Sequence, residues 1–362
     1  MPRTDSQRAF DTLLLALDQM PELAEQAKSI TFLRGQPHEA LMSLRSKMEC
    51  TQTYKPRHTL LEAAGFKVTQ EPAGDRDLVL LLPDRQKDET HSDLAQALDL
   101  LKPGGTLLVS LHNDWGARRF QDHLFDLVGH GEVLTKNHCR AFWVTKPETM
   151  DEAVLNEWRT AAKMQRILEG KYWSKPGLFS WNRIDEGSGL LAPLLHGRLK
   201  GRVADLGSGW GYLSCEVLTH CPDVTGLDGY EADLDAVEAA RRNIGNIPVP
   251  FRPRMHWQDV TQGVGERLYD AVIMNPPFHE GREPDPRLGV KFITAAARAM
   301  KETGELWLVA NVHLPYEESL QEVFDVVEVK DQKFGFKVIR AAMPRHDLFF
   351  HRGLRKQRRG KR

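Results

Sequence analysis

The 362-residue sequence has few cysteines, almost no net charge and no long apolar run. Its four cysteines are Cys50, Cys139, Cys215 and Cys221. They form no CxxC pair, and their spacing to the histidines is not typical of a metal site. We therefore predict reduced, buried thiols, a cytoplasmic location and no metal centre. The formal net charge of −1 gives no argument of its own for a nucleic-acid partner.

A membrane-spanning segment is also missing from the sequence pattern. No apolar run is long enough to cross a bilayer, so we expect no membrane partner. The short apolar stretch near the N-terminus is flanked by Asp11 and Asp18, which predicts an amphipathic helix and not a signal peptide. The composition, 41% hydrophobic and 27% charged, is typical of a globular chain with a sizeable core. The length predicts two domains.

From about residue 203, strand-like apolar runs alternate with segments of helical periodicity. The runs are continuous, as expected for parallel strands that are buried on both faces. The segments between them repeat apolar residues every three or four positions. The last two runs, VVEVKDQ and FKVIRAAMP, have no helix between them, which predicts an antiparallel hairpin at the edge. We therefore predict an α/β fold with a doubly wound, mostly parallel sheet.

A glycine-rich turn, DLGSGWG, follows the first of these strands. In an open α/β sheet the ligand lies beyond the carboxyl ends of the strands, and glycines there let it approach the backbone. Such a turn also occurs in dinucleotide-binding proteins and in purely structural turns. The residues of the turn that we predict to bind a cofactor are Asp205, Leu206, Gly207, Ser208, Gly209 and Gly211.

Three acidic residues are predicted at the ends of three successive strands. They are Asp205, Asp228 and Asp259. A carboxylate after the second strand can accept both hydroxyls of a ribose, and one after the third can meet the amino edge of an adenine. Each acid alone could be a helix cap or a loop carboxylate, but together they indicate a cofactor site. Gly229 and Val260, which directly follow the second and third acids, are included in it.

The fourth strand, YDAVIMN, ends abruptly in NPPF, residues 275–278. Consecutive prolines cannot donate to a β-ladder, so the strand stops there, and this could be their only role. A ring amine is a poor nucleophile because its lone pair is conjugated. The side-chain oxygen of Asn275 and the carbonyl of Pro276, held rigid by Pro277, could accept its hydrogens and free that lone pair. Phe278 offers a stacking face. We predict these four as catalytic residues, and Asn275 also as a cofactor-binding residue.

Together these motifs resemble the class I S-adenosylmethionine-dependent methyltransferases that act on planar amino nitrogens. More narrowly, PGLFSWNRIDEGSGLL, MNPPFHEG, LVANVHLPY and FGFKVIRAAM resemble the ribosomal RNA small-subunit guanine-N2 methyltransferase family. The resemblance covers about residues 171–345, although Ser208 and Trp210 depart from the family's usual glycine turn. It implies S-adenosyl-L-methionine as the cofactor, contacted by the predicted turn and acids, and a target guanine held by residues 275–278. The loop 179–188 would cover the methionine end.

The N-terminal half repeats the pattern of the C-terminal half. DLVLLLPDRQ (77–86) matches DAVIMNPPFH (270–279), and two later segments match at similar spacing, which predicts an internal duplication. Leu82 replaces the asparagine, Asp84 replaces the second proline, and no glycine turn precedes them. We therefore predict two tandem class I methyltransferase (Rossmann-like) domains, of which the N-terminal copy is degenerate and serves to position substrate and assist folding.

The predicted domains are a degenerate methyltransferase-like domain (1–147), a connecting helix (148–170), a catalytic methyltransferase domain (171–350) and a basic tail (351–362). The tail carries seven Lys or Arg among its last eleven residues, which could bind phosphates or only improve solubility. The predicted reaction is methyl transfer to the N2 amine of a guanine in ribosomal RNA. We expect a monomer with ribosomal RNA or the small ribosomal subunit as partner.

Three alternatives remain open. The chain could methylate adenine N6 in nucleic acid or glutamine N5 in protein, because those enzymes share an NPPY-type motif. The duplicated N-terminal half argues against the glutamine enzymes, which carry a different, helical domain there. The chain could also be a non-catalytic RNA-binding assembly factor, against which the intact DLGSG and NPPF motifs argue.

Overall fold

The computed structural model describes residues 3–277, 279–280, 283–284 and 286–347. The chain forms two compact units. The first comprises the residues up to Gln165 together with Lys175–Gly177, and the second comprises Arg166–Ser174 and the residues from Leu178 onward. Each unit is built on a seven-stranded sheet in which five neighbouring strands pair in parallel and the two strands at one edge are joined by antiparallel pairing. The predicted α/β class and the antiparallel edge hairpin are confirmed. No described helix has both the length and the apolar character needed to span a bilayer.

The first unit contains six α-helices and a sheet in the order β3-β2-β1-β4-β5-β7-β6. Its helices are α1 (Asp5–Asp18), α2 (Pro21–Gln26), α3 (Lys55–Ala63), α4 (Lys87–Leu100), α5 (Ala117–Val128) and α6 (Glu152–Ala161). Its strands are β1 (Ile30–Leu33), β2 (Met48–Cys50), β3 (Lys67–Val68), β4 (Arg76–Leu81), β5 (Leu101–His112), β6 (Glu132–Lys136) and β7 (Cys139–Thr145). Short 3-10 segments cover Glu39–Lys47 and Asn113–Trp115.

The second unit repeats this topology in the order β12-β11-β10-β13-β16-β18-β17. The strands of this sheet are β10 (Gly201–Leu206), β11 (Val224–Glu231), β12 (Arg254–Trp257), β13 (Tyr269–Met274), β16 (Met300–Asn311), β17 (Phe324–Lys333) and β18 (Phe336–Pro344). Two small two-stranded sheets are formed by β8 (Gln165–Ile167) with β9 (Tyr172–Ser174), and by β14 (His279–Glu280) with β15 (Glu283–Pro284). The helices are α7 (Glu186–Leu195), α8 (Tyr212–His220), α9 (Leu234–Ile244), α10 (Pro286–Ala299) and α11 (Tyr316–Val323).

Apolar side chains cover both faces of the sheets. In the first unit one face packs against α1, where Phe10 and Leu13 are buried, and the other against α4 and α5, where Leu98 and Phe120 are buried. The predicted amphipathic N-terminal helix is therefore confirmed. In the second unit every residue of Ala271–Met274 is buried, as expected for a parallel strand between two helical layers.

The segment predicted as a connecting helix over 148–170 contains a shorter helix. Asp151 caps α6, and Leu155 and Trp158 are buried in the core of the first unit. Beyond α6 the chain turns at residues 168–170, whose φ angles of 49°, 57° and 81° are left-handed and incompatible with a helix. This turn joins the paired strands β8 and β9.

Candidate active site

The glycine turn joins β10 to α8 and requires glycine at specific positions. Gly207, Gly209 and Gly211 have φ angles of 73°, 53° and 88°, a region that other residues rarely adopt. A Cβ atom at Gly211 would also lie 3.0 Å from Ala240. The N–H groups of Gly207 and Ser208 donate to the Tyr230 carbonyl at 2.8 and 3.1 Å, which fixes the turn against β11. A Cβ at Gly209 would meet nothing within 4 Å, so the backbone at this glycine is open to close approach by a ligand.

Asp205 lies beneath this turn and is 1% exposed. Ser214 donates to its Oδ2 at 2.7 Å, whereas its Oδ1 is buried without a hydrogen-bond partner among the described residues. Burial raises the pKa of Asp205 to about 7. A buried acceptor without a donor is costly, so Oδ1 is suited to accept a hydrogen bond from a bound ligand or water.

The prediction that Asp228 ends the second strand is wrong. Strand β11 continues for three more residues, to Glu231. The carboxylate of Asp228 accepts hydrogen bonds from Arg202 at 2.9 Å, and from His256 and Tyr269 at 3.1 Å each. Burial alone would raise the pKa of Asp228, but these three bonds together lower it. Three of the about four acceptor positions of this carboxylate are used by protein side chains, and Asp228 lies inside the strand and not at its end. The adjacent Gly229 is a packing glycine, since a Cβ there would overlap Met255.

Glu231 is the acid that ends β11 beside the glycine turn. Its Oε2 accepts from the Gly209 N–H at 2.8 Å, and its Oε1 accepts from the N–H groups of Ala232 and Asp233 at 2.7 and 3.0 Å. Burial raises the pKa of Glu231. Glu231 was not among the site residues predicted from sequence. The signal that could have found it is Asp233, which caps α9 and so fixes the end of the preceding strand.

Asp259 follows β12 by two residues and caps a 3-10 segment, Val260–Gln262. Its Oδ1 accepts from the Thr261 N–H at 2.8 Å. Val260 is 2% exposed and belongs to the core of the second unit. Asp259 is therefore a helix cap, as in the alternative considered for each of the three acids. Its position at the same edge of the sheet as Glu231 remains as predicted.

Asn275 directly follows β13, at the edge where the glycine turn follows β10. Leu206 and Met274 are paired in the parallel register, so Gly207 and Asn275 occupy equivalent places beyond neighbouring strands. The amide nitrogen of Asn275 donates to Asp185 Oδ2 at 2.8 Å and to Ser188 Oγ at 2.9 Å.

The two partners of Asn275 are themselves fixed in place. Asp185 caps α7 and accepts from the Ser188 N–H at 2.9 Å. Because both protons of the Asn275 amide are used, its side-chain oxygen is the atom left to accept a hydrogen bond from a ligand. Next to it, Pro276 is buried and Pro277 is exposed. Phe278, also predicted as catalytic, lies outside the described residues.

The comparison with known families first defines the class of protein. The model of the family "Methyltransferase small domain" matches residues 169–340, which contain the glycine turn and the NPPF motif. The second unit is thus a methyltransferase domain, and the predicted resemblance to that class is confirmed.

Whole-chain relatives then define the family. Ribosomal RNA small subunit methyltransferase C of Escherichia coli K12 is 31% identical over 280 residues, or 76% of this chain and 78% of the relative. The protein of the same name from Haemophilus influenzae PittGG is 28% identical over 315 residues, or 86% of this chain and 93% of the relative. The chain belongs to the ribosomal RNA small subunit methyltransferase C family.

A solved structure shares the fold of both units. The 16S rRNA N2 methyltransferase of T. thermophilus, in complex with AdoMet and guanosine, superimposes with a TM-score of 0.73 at 24% identity. The match covers 88% of this chain and 90% of that chain. The predicted tandem arrangement of two methyltransferase-like folds is thereby confirmed.

Proposed function

We propose that this chain transfers the methyl group of S-adenosyl-L-methionine to the exocyclic N2 amine of a guanine in small-subunit ribosomal RNA. The observation that carries the proposal is Asn275, at the sheet edge that also bears the glycine turn: Asp185 and Ser188 hold its amide nitrogen, and no described residue donates to its side-chain oxygen. Membership of the family and the activities named for its members support the substrate class.

The residues around the glycine turn fit S-adenosyl-L-methionine. Glycines at 207, 209 and 211 leave room against the backbone, and Glu231 offers a carboxylate for ribose hydroxyls at the end of β11. Asp259 and Val260 lie after the next strand, where an adenine would be placed. When bound, the cofactor supplies an electrophilic methyl group on a sulfonium. The residues of the turn would hold the cofactor at the sheet edge that also bears Asn275.

The target amine is activated by acceptors and not by a base. The amine gains positive charge as it is methylated, so acceptors aimed at its hydrogens stabilise the transition state more than the ground state. The side-chain oxygen of Asn275 and the carbonyl of Pro276 are these acceptors. The bonds from Asn275 to Asp185 and Ser188 hold the amide in the required orientation before substrate arrives. The proton is lost to water after transfer. Phe278 stacks on the base in this proposal.

The wider setting follows from the same proposal. The protein acts as a cytoplasmic monomer on ribosomal RNA or on the small ribosomal subunit. The boundaries 1–147, 148–170, 171–350 and 351–362 describe its functional parts, with the first part positioning the RNA. The basic tail, which lies outside the described residues, contributes phosphate contacts.

The test is methylation of small-subunit rRNA by the purified chain with labelled S-adenosyl-L-methionine, followed by nucleoside analysis. We expect N2-methylguanosine from the wild-type protein and an initial rate of its formation about 10²–10³ lower with Asn275→Ala. Label in N6-methyladenosine or in protein glutamine would replace the proposal with one of the alternative methyltransferase activities. A folded protein that binds RNA but transfers no methyl group to free rRNA or to the small subunit would favour a non-catalytic assembly factor.

A further inference from the structure

Three side chains of the second unit converge at the end of α8 that is remote from the glycine turn. His220 is the last residue of α8, Glu216 lies one turn before it, and His196 directly follows α7. Each offers one ligand atom, and these three atoms lie within 4.8 Å of one another. At 1.5 Å rise per residue, Glu216 lies about 7.5 Å and His220 about 13.5 Å along the helix axis from Gly211. The cluster is therefore separate from the proposed methyl-transfer site.

The distances within the cluster match those of a metal site. Nε2 of His196 and Nε2 of His220 lie 3.1 and 3.7 Å from the same oxygen, Oε2 of Glu216. Ligand atoms bound at about 2.0–2.2 Å in a tetrahedron are about 3.4 Å apart. The two imidazole rings face each other with centroids 4.0 Å apart. Small rotations of the side chains would bring all three atoms onto one ion.

Backbone contacts hold the two histidines together before any ion binds. The Gly197 N–H donates to the carbonyl of His220 at 2.9 Å. The neighbouring Cys221 thiol, which is buried, donates to the carbonyl of Leu195 at 3.2 Å. The residues on either side of both histidines are thus tied to each other. Such preorganisation lowers the entropy that an ion must overcome to collect its ligands.

Tyr172 lies near the carboxylate of Glu216. Burial, and the nearby charge of Glu216, raise the pKa of the Tyr172 phenol. No metal centre was predicted from sequence, on the basis of the spacing of the cysteines to the histidines. Glu216 and His220 are one helical turn apart, but His196 is twenty residues from Glu216.

We propose that His196, Glu216 and His220 bind a divalent transition-metal ion, with Zn²⁺ as the physiological ion and water in the fourth position. Two imidazoles and one carboxylate suit Zn²⁺, whereas Mg²⁺ and Ca²⁺ prefer all-oxygen sites. The ion would link the C-terminal end of α7 to the C-terminal part of α8. Its role is structural, since the cluster lies at the opposite end of α8 from the glycine turn.

The experiment is zinc titration of the full-length, untagged chain after EDTA treatment and dialysis, by calorimetry with a competing chelator. We expect one Zn²⁺ per chain for the wild-type protein and a thermal midpoint that rises with zinc concentration. His220→Gln should weaken zinc binding by at least about 10- to 100-fold, the range seen when only an outer-shell partner is lost. Loss of zinc should leave methyl transfer nearly unchanged.

His313→Gln is the matched control, because His313 is exposed in the same unit and lies outside the cluster. It should bind zinc like the wild-type chain. The circular dichroism spectrum of His220→Gln should match that of the wild-type chain, because this residue is at a helix end and its side chain is partly exposed. No saturable binding by the wild-type chain would overturn the proposal. Equal affinity in wild type and His220→Gln would overturn it as well, because the ion would then be bound elsewhere.

Discussion

The two sheets have the same strand order but differ at the residues that follow their central strands. Leu33 pairs with Leu81 in the first sheet as Leu206 pairs with Met274 in the second. The next residues are Arg34 and Leu82 in the first unit, against Gly207 and Asn275 in the second. The strands are apolar and buried in both. The strands that build the fold are thus alike in the two units, whereas the residues one step beyond them differ, and it is to these residues that the proposed function assigns the chemistry.

Charged side chains fill the edge of the first sheet where the second has its glycine turn. Arg34, with φ of 54°, donates to Asp93 at 2.6 Å and lies 2.8 Å from Glu89. Burial alone would lower the pKa of the Arg34 guanidinium. The two carboxylates have the larger effect and raise it. In the first unit, ion-paired side chains thus fill the space at the edge of the sheet. In the second unit, the corresponding edge is left open for a ligand.

The comparison also separates the two acids of β11. Register pairs Glu49 with Thr31 in the first sheet and Asp228 with Ala204 in the second, so these acids occupy equivalent positions. Glu49 is buried and ion-paired with Arg76 and Lys67, although its unit has no glycine turn. An acid at this position is therefore a feature of the fold.

Three residues further on, the two units differ. Glu231 of the second unit corresponds to the neutral Gln52 of the first. Gln52 donates its amide to the Gly35 carbonyl at 2.9 Å, whereas Glu231 accepts from backbone N–H groups of the glycine turn and the start of α9. The acid that accompanies the glycine turn is Glu231.

The largest effect is expected from opening the filled edge of the first sheet. Arg34→Ala leaves Asp93 and Glu89 without their counter-charge in a poorly solvated place. Breaking a buried pair from one side costs about 3–5 kcal/mol of unfolding free energy. Urea unfolding would measure it, and S-adenosyl-L-methionine affinity of the folded fraction should not change. A loss of cofactor affinity in the folded fraction would mean that the first edge also binds ligand.

Asn275→Ala should lower kcat by about 10²–10³, by analogy with losing one oxyanion-hole donor, or about 2.7–4 kcal/mol. Cofactor affinity should be nearly unchanged, because the contact matters chiefly in the transition state. Single-turnover kinetics and calorimetry separate the two quantities. Leu82→Met, at the equivalent position of the first unit, is the control and should keep wild-type kcat. Near-normal turnover by Asn275→Ala would rule out the proposed mechanism.

Sequence patterns were sufficient for the fold and the main motifs, because buried parallel strands and glycine turns leave local signals. The duplication and the Leu82 substitution were visible in the same way. Contacts between residues that are far apart in sequence were not visible in the sequence patterns. Asp185 is 90 residues from Asn275, and the bond between them depends on how α7 packs. Glu231 was missed because the end of a strand is set by hydrogen-bond register and the next helix cap, which apolar runs do not mark.

A smaller effect should distinguish the two acids of β11. Glu231→Gln makes the second unit resemble the first at this position. It should weaken S-adenosyl-L-methionine binding by about 10- to 100-fold, the value of a charge-assisted hydrogen bond of about 1.5–3 kcal/mol. Asp228→Asn should lower stability but leave the dissociation constant of the cofactor within about twofold. Titration calorimetry of both variants with S-adenosyl-L-methionine measures the two dissociation constants and shows which acid binds the cofactor. Weakened binding only in Asp228→Asn would restore the assignment made from sequence.

The smallest effect concerns Asp205, whose register equivalent in the first sheet is the buried Phe32. The folded-state pKa of Asp205, about 7, lies above its ordinary value of 3.8, so the fold favours the protonated form. Its contribution to stability is full below about pH 3.8 and is lost as the pH rises through 7. Between pH 6 and pH 7, without cofactor, the wild-type chain should lose about 1 kcal/mol relative to Asp205→Asn.

Denaturant unfolding of both proteins at the two pH values measures this difference. Asparagine keeps the acceptor for Ser214 and cannot titrate, so other groups cancel in the comparison. A constant difference between the two proteins would mean that Asp205 stays ionised through this range. The Asp205 carboxylate would then be a buried charge that already accepts a hydrogen bond from water or a protein donor. In that case the open edge of the second sheet would differ less from the filled edge of the first.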